Sequence, residues 1–282
     1  MFDPAVGVTY NKLMKSKVLL AMLVVLIVLA GIGIMCGTIF VVREIEVVDA
    51  NAAVSVLTDA EKEAIMNKTE LKGKNILFNI NQEKIKASIK TCDPMYKVHS
   101  IKTQFPSKVI ITISRRVPIY FDTQNGKYYD AEMYIVKETG TQAADCVNIT
   151  GANLQLKDGL DYGDLAAGAT AADNRKIAQL KIVAGYFADQ LSGLKISYND
   201  NASHVGGRLI CLHLQIADDV TFEIKTKADD DFAHLLAFTN TTYQNDAKRA
   251  PGNYKAMYHE SGRCTVRYTN KENGEDKTYV EK

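Results

Sequence analysis

The stretch from Val98 to Pro118, VHSIKTQFPSKVIITISRRVP, decides the fold of the first half of this chain. Val98 to Gln104 reads as one strand and Phe105 with Pro106 as a break. Val109, Ile111 and Ile113 then alternate with Ile110, Thr112 and Ser114 up to Arg115 and Arg116. A period of two sends one set of side chains to each face of a sheet, so two consecutive strands are predicted. Upstream, a helix can begin near Asn81 and carry Ile85 and Ile89, i and i+4, on one face to about Lys90. Before it, Thr58 with Glu61 forms a capping-box pattern. Ala60, Ala64, Ile65 and Met66 follow, and Gly73 stops the element. Arg43 to Val48 alternates Ile45 and Val47 with Glu44 and Glu46. The order over residues 43–118 is strand, helix, helix, strand, strand.

Further toward the N-terminus, Val18 to Val42 is uncharged, with Thr38 its one hydroxyl. At ~1.5 Å per residue such a helix exceeds the ~30 Å hydrocarbon thickness. It is too long for the apolar region of a signal peptide, so one uncleaved membrane span is expected. Lys12, Lys15 and Lys17 precede it, while Arg43, Glu44, Glu46 and Asp49 follow. This asymmetry predicts residues 1–17 as a cytoplasmic tail and everything after residue 42 as exported. Gly33 and Gly37 form a smooth face for another helix.

The 282 residues contain 34 Lys+Arg against 33 Asp+Glu, a formal charge of +1, so no global field points to nucleic acid. Five cysteines and five prolines exclude a cysteine-framework scaffold and a Pro-rich linker protein.

In residues 119–270 a turn at Asp122 to Gly126 precedes an extended stretch from Tyr128 to Val136, and the Gly/Ala/Asp-rich residues 151–173 are expected to be a surface loop. Ile177, Leu180, Ala184, Phe187 and Leu191 then make an apolar helical stripe, with Lys176, Lys181 and Asp189 off it. Leu194–Tyr198, Arg208–Ile216 and Val220–Thr226 read as strands, Asp229–Tyr243 as a helix, and Tyr254–Tyr258 with Arg263–Tyr268 as a final hairpin. Residues 271–282 are expected to be a charged, disordered tail.

The five histidines show no HExxH motif, and no Cys-x-x-Cys pair occurs, so no metal ligands, cofactor-binding residues or catalytic residues are expected. No small-molecule substrate is expected either. The four cysteines beyond the span, Cys92, Cys146, Cys211 and Cys264, permit three disulfide connectivities or none.

An ordered set of residues behind the span resembles the POTRA domain of FtsQ/DivIB cell-division proteins. It comprises Gly73, Asn75, Ile76 and Leu77; then Pro94, Val98 and Ile101; then Phe105, Pro106, Val109, Ile111 and Ile113; then Arg116 and Pro118. Arg115 departs from the family, which usually has Glu there. The resemblance implies an α+β protein: one transmembrane helix, a β-α-α-β-β POTRA domain at 43–118, and a second mixed, β-rich domain at 119–270. It also implies a non-enzymatic scaffold of the bacterial divisome, in the cell membrane at the septum, linking upstream division proteins to a bitopic coiled-coil pair of the FtsB/DivIC and FtsL type that regulates septal peptidoglycan synthesis. The family's contact at the last strands carries over to Tyr258, Ser261, Gly262, Arg263, Thr265 and Arg267, where β-augmentation would supply the affinity.

Two other readings compete. A membrane-anchored cysteine transpeptidase of the sortase kind would use Cys264 with Arg267, although Arg263-Cys264-Thr265 replaces that family's lead-in. The sequons at Asn67, Asn148, Asn201 and Asn240 would suit a eukaryotic type II membrane glycoprotein.

Overall fold

The structure is a computed structural model that describes residues 4–50, 57–77, 80–137, 146–188, 193–199, 203–204, 207–208, 210–227, 230–245, 251–258 and 263–281. Its contacts divide the chain into two units, Met1–Arg115 and Arg116–Lys282.

The first unit opens with helix α1 (Pro4–Ile39). Its stretch Val18–Ile39, 22 residues, is long and apolar enough to cross a membrane. Residues 4–17 are helical and continuous with the span, and one expectation is corrected here: the helix ends at Ile39 although the apolar run reaches Val42. The reason is local: the Val42 N–H donates to the Lys74 carbonyl at 2.8 Å and its side chain is buried, so the fold takes these residues from the helix.

Strand β1 (Glu44–Asp49), helices α2 (Asp59–Thr69) and α3 (Gln82–Cys92), and strands β2 (Tyr96–Gln104) and β3 (Lys108–Arg115) follow in the expected order. The sheet order is β1-β3-β2, with β1 parallel and β2 antiparallel to β3. A parallel pair cannot be closed by a hairpin, so α2, α3 and β2 carry the chain across. Thr58 and Glu61 cap α2 reciprocally, and Asn81 caps α3 by accepting from the Lys84 N–H. Ile65, Ile85 and Ile89 from the helices pack with Val109, Ile111 and Ile113, the alternating set of β3. Burial of that set is what fixes the register of the central strand.

The second unit contains β4 (Tyr120–Asp122), β5 (Lys127–Tyr129), β6 (Ile135–Val136), β7 (Val147–Thr150), α4 (Ala171–Tyr186), β8 (Lys195–Asn199), β9 (Ser203–His204), β10 (Gly207–Arg208), β11 (Ile210–Ala217), β12 (Val220–Thr226), α5 (Phe232–Asn245), β13 (Gly252–Tyr258), β14 (Cys264–Asn270) and β15 (Asp276–Val280). Ten strands form one sheet in the order β15-β14-β13-β12-β11-β8-β7-β4-β5-β6, while β9 and β10 pair separately. The parallel pairs β7–β8 and β12–β13 are connected through α4 and α5. The chain as a whole is α+β.

One sheet face is apolar. Leu212, Leu214, Phe222, Ile224, Tyr254, Val266 and Tyr268 join Leu180, Val183, Leu235 and Leu236 of the helices in one core. The alternate positions Thr221, Glu223 and Lys225 of β12 are only half-buried, as period two requires of a sheet with one covered face.

The Gly/Ala/Asp-rich stretch is not a simple surface loop. Ala152, Leu154 and Ala166 are buried, and Lys176, placed off the stripe by sequence, is buried with its Nζ donating to the Ala152 carbonyl at 2.7 Å. Leu191 lies outside the described residues. Gly151 has φ +67, and a Cβ there would run into the Tyr198 carbonyl. Only glycine suits both the backbone conformation and the close approach of the neighbouring strand.

The C-terminal tail is the largest correction. Residues 271–275 form a turn containing Gly274 at φ +69, and Asp276–Val280 pairs antiparallel with β14. The tail is therefore the outermost strand of the sheet.

Candidate functional site: two clasps and an open sheet edge

Gly73, Asn75, Phe105 and Pro106 lie around one feature, the chain leaving α1. The Gly73 N–H donates to Val42 O at 2.9 Å, the Ile76 N–H to Phe40 O at 2.7 Å, and Val41 bridges Asn75. From the other side, the Arg43 N–H donates to Ser107 O at 2.9 Å, and the rings of Phe40 and Phe105 meet edge to face at 6.0 Å. Gly73 takes φ +85, which glycine adopts freely. Pro94 follows the α3 C-cap Asp93, whose Oδ1 accepts from the Met95 N–H.

Arg115 pairs with Glu61 and lies 5.9 Å from the centroid of the Tyr96 ring, and the Tyr96 hydroxyl donates to Glu61 at 3.2 Å. Glu61 is held down from 4.5 to about 2, first by the Thr58 backbone N–H and then by the Thr58 hydroxyl and Arg115, against an opposing effect of burial. A carboxyl depressed in the folded state stabilises it fully above its unfolded value and loses that contribution as pH falls through the folded one. The loss is expected between pH 4.5 and about 2. Thermal melts of the wild type should fall more steeply over that window than those of Glu61→Gln, and equal slopes would show that Glu61 does not carry the effect.

Residues 42–116 match the POTRA domain model, FtsQ-type. They form an FtsQ-type POTRA domain. One relative is the "Cell division protein DivIB" of Clostridium tetani (strain Massachusetts / E88), 27% identical over 108 residues. That match spans 38% of this chain and 38% of the relative. The POTRA domain follows α1 directly, and four of its motif residues, Gly73, Asn75, Ile76 and Phe105, clasp the chain that leaves the helix.

The sequence-predicted contact residues lie in the second unit. Tyr258 closes β13, Arg263 immediately precedes β14, and Thr265 and Arg267 lie within β14. Ser261 and Gly262 fall outside the described residues. The expectation that Thr265 sits in an edge strand is corrected, because β14 pairs with β13 on one side and β15 on the other. Glu281 N–H to Cys264 O at 3.0 Å and Asn270 N–H to Glu275 O at 2.9 Å fix the alternation. Even-numbered residues of β14 bond toward β15, so Thr265 bonds inward to β13. By the same alternation Asp276, Thr278 and Val280 point their backbone groups outward, away from β14.

Among the described residues, β15 offers this sheet's open edge. At the opposite end β6 is covered: Ile135 exchanges bonds with Asp164 and Gly163, and Tyr134 bridges Leu165. Arg267 and Thr269 fasten β15 by bonding Asp276 at 2.5 and 2.7 Å, and Arg267 lowers the carboxyl pKa of Asp276.

Cys92, Cys211 and Cys264 are not joined in disulfides in this structure. The fold gathers two of them, Cys211 and Cys264, into clusters with residues from other elements. Cys211, His213 and Glu223 meet across β11 and β12, where i,i+2 spacing and the cross-strand pair His213–Glu223 place them on one face. His234 from α5, Cys264 from β14 and Glu281 just after β15 also converge. A polar groove of about 950 Å³ lies on the sheet beside the first cluster, lined by Asn148, Lys195, Ser197, His213 and Gln215 among others.

The second cluster brings a histidine to Cys264, as a transpeptidase would need, but both ring nitrogens are engaged. Nε2 meets Glu281 at 2.8 Å and Nδ1 meets the Tyr258 hydroxyl at 3.2 Å. Burial pushes the Cys264 thiol up, which favours the protonated, unreactive form. Arg267 is committed to Asp276.

Proposed function

We propose that this chain is a non-enzymatic, membrane-anchored scaffold of bacterial cell division that presents the outer edge of β15 to a strand of a partner protein. The carrying observation is the FtsQ-type POTRA domain at residues 42–116, joined directly to a membrane-length apolar helix. The DivIB relative supports the division role. Lys12, Lys15 and Lys17 support a cytoplasmic N-terminus, with both units outside at the septum. Residues 43–118 and 119–270 then work as separate modules on one anchor. Gly33 and Gly37, where an added Cβ would meet nothing within 4 Å, suit contact with another membrane helix. The partners of the second unit are bitopic coiled-coil proteins of the FtsB/DivIC and FtsL type. An extended segment of one adds to β15, bonding to the outward groups of Asp276, Thr278 and Val280.

Thr278→Pro tests this edge. Thr278 is exposed and its N–H points away from β14, so proline there spares the β14 ladder and removes an outward donor. Losing that bond and gaining a ring at the contact should lower partner affinity by about tenfold or more. Thr278→Val, which keeps the donor, should bind normally. The measurement is detergent co-purification of the tagged full-length chain from its host, with partners identified by mass spectrometry. Undiminished recovery of coiled-coil division proteins by Thr278→Pro would place their contact elsewhere, and a covalently captured thioester substrate would favour the transpeptidase reading.

A further inference from the structure

His234, Cys264 and Glu281 come from three separate elements, and their potential ligand atoms all lie within 4.8 Å of one another. The set combines one imidazole, one thiol and one carboxylate, the donor types that zinc accepts. Cys264 is buried at the floor, while His234 and Glu281 remain partly exposed, which leaves a route in from solvent.

The surroundings are also those of a ligand set. The His234 Nδ1 lies 3.2 Å from the Tyr258 hydroxyl, which donates to the Asp231 carbonyl at 3.2 Å. An Nδ1–H donated to Tyr258 would leave Nε2 with its lone pair toward Glu281 and Cys264. Such an outer bond holds a metal-binding imidazole in its tautomer and orientation. The Glu281 carboxylate is held in place from the backbone, its Oε2 accepting from the Cys264 N–H at 3.3 Å. Nearby charge is negative: Asp230 and Asp231 act on Tyr258, and Asp231 acts on Cys264.

The other cluster has a comparable donor set, with Cys211 Sγ to His213 Nε2 at 3.3 Å, but opposite electrostatics. Its Glu223 is bridged by Lys225 at 3.0 Å and Lys255 at 3.4 Å, and two ammonium groups oppose a cation there.

We infer that His234, Cys264 and Glu281 form a binding site for one divalent ion of the zinc class, with a solvent molecule in the fourth position. On binding, the Cys264 S–H bond is broken, its proton goes to solvent, and the thiolate sulfur bonds the ion. His234 and Glu281, now 2.8 Å apart, open by a small side-chain rotation to about the 3.3 Å separation of two ligands on one tetrahedral ion. The ion then joins α5, β14 and the residue after β15, and so fastens the outer strand to the body of the unit.

The test uses the full-length chain in detergent, dialysed against buffered zinc and counted by inductively coupled plasma mass spectrometry. Cobalt is added in parallel for its thiolate charge-transfer band. One zinc per chain is expected. His234→Asn and Glu281→Gln, both at partly exposed positions, should each weaken binding by about tenfold or more, and Tyr258→Phe by about tenfold. Cys264→Ser should abolish the cobalt band and Cys211→Ser should leave it. Absence of stoichiometric zinc would overturn the inference. So would zinc that survives His234→Asn and Glu281→Gln unchanged, or that is lost with Cys211→Ser.

Discussion

Arg116→Ala is expected to lower the stability of the second unit by about 3–5 kcal/mol, the cost of breaking a buried ion pair from one side. Arg116 and Asp130 have side chains only 9% and 8% exposed, and Nη1 lies 2.5 Å from Oδ2. The guanidinium also stands 3.6 Å from the centroid of the Tyr134 ring and 3.8 Å from Glu132. Asp130 in turn organises the turn between β5 and β6, its Oδ1 accepting from the N–H groups of Glu132 and Tyr134. Without Arg116 the carboxylate keeps those donors but stays buried with its countercharge gone. Such a loss corresponds to a fall of roughly 10 °C in the melting temperature of a domain of this size. Differential scanning calorimetry should show the shift in the second unit's transition while Arg116→Lys recovers part of it. A shift of under about 2 °C would mean that the pair is solvated in practice.

Tyr254→Ala is expected to cost a similar amount, about 3–5 kcal/mol, for a different reason. Tyr254 is fully buried in β13, with ring centroids 5.6 Å from Phe222 in β12, 5.5 Å from Tyr243 in α5 and 4.8 Å from Tyr268 in β14. Truncation leaves a cavity bounded by three aromatic rings on three elements, and rigid rings collapse poorly into such a space. Tyr254→Phe keeps all three contacts and should lose little. If calorimetry found the alanine variant within about 1 kcal/mol of wild type, the aromatic cluster would not be the keystone of this half of the sheet.

The POTRA order was readable because its core elements bury one face each. Val109, Ile111 and Ile113 advertise β3 by alternation, and Thr58 with Glu61 marks the start of α2 through chemistry confined to four residues. The strand β15 left no such mark. Asp276, Lys277, Thr278 and Val280 are exposed and only Tyr279 packs toward the core, so an edge strand reads like a solvated tail. Lys176 was misplaced because a lysine stem can be buried when its ammonium finds a backbone carbonyl. The two thiol clusters were invisible for a topological reason, since their members become neighbours only through strand pairing and helix packing. Cys211-x-His213 was the one local hint, two donors on one side of a strand.

The clasp at the exit of α1 sets the length of the leash between that helix and the POTRA domain. Between Ile39 and Glu44 the chain has residues 40–43, and each is already bonded to or paired with the 73–76 or 105–107 loop. No slack remains to pay out. A domain on a long tether samples a thick layer of fluid and meets soluble partners as readily as anchored ones; one held this close searches a shell little deeper than its own diameter. With α1 in the bilayer, as proposed, so short a leash would concentrate encounters onto molecules fixed in the same membrane, an enrichment that comes from geometry before any contact residue is involved.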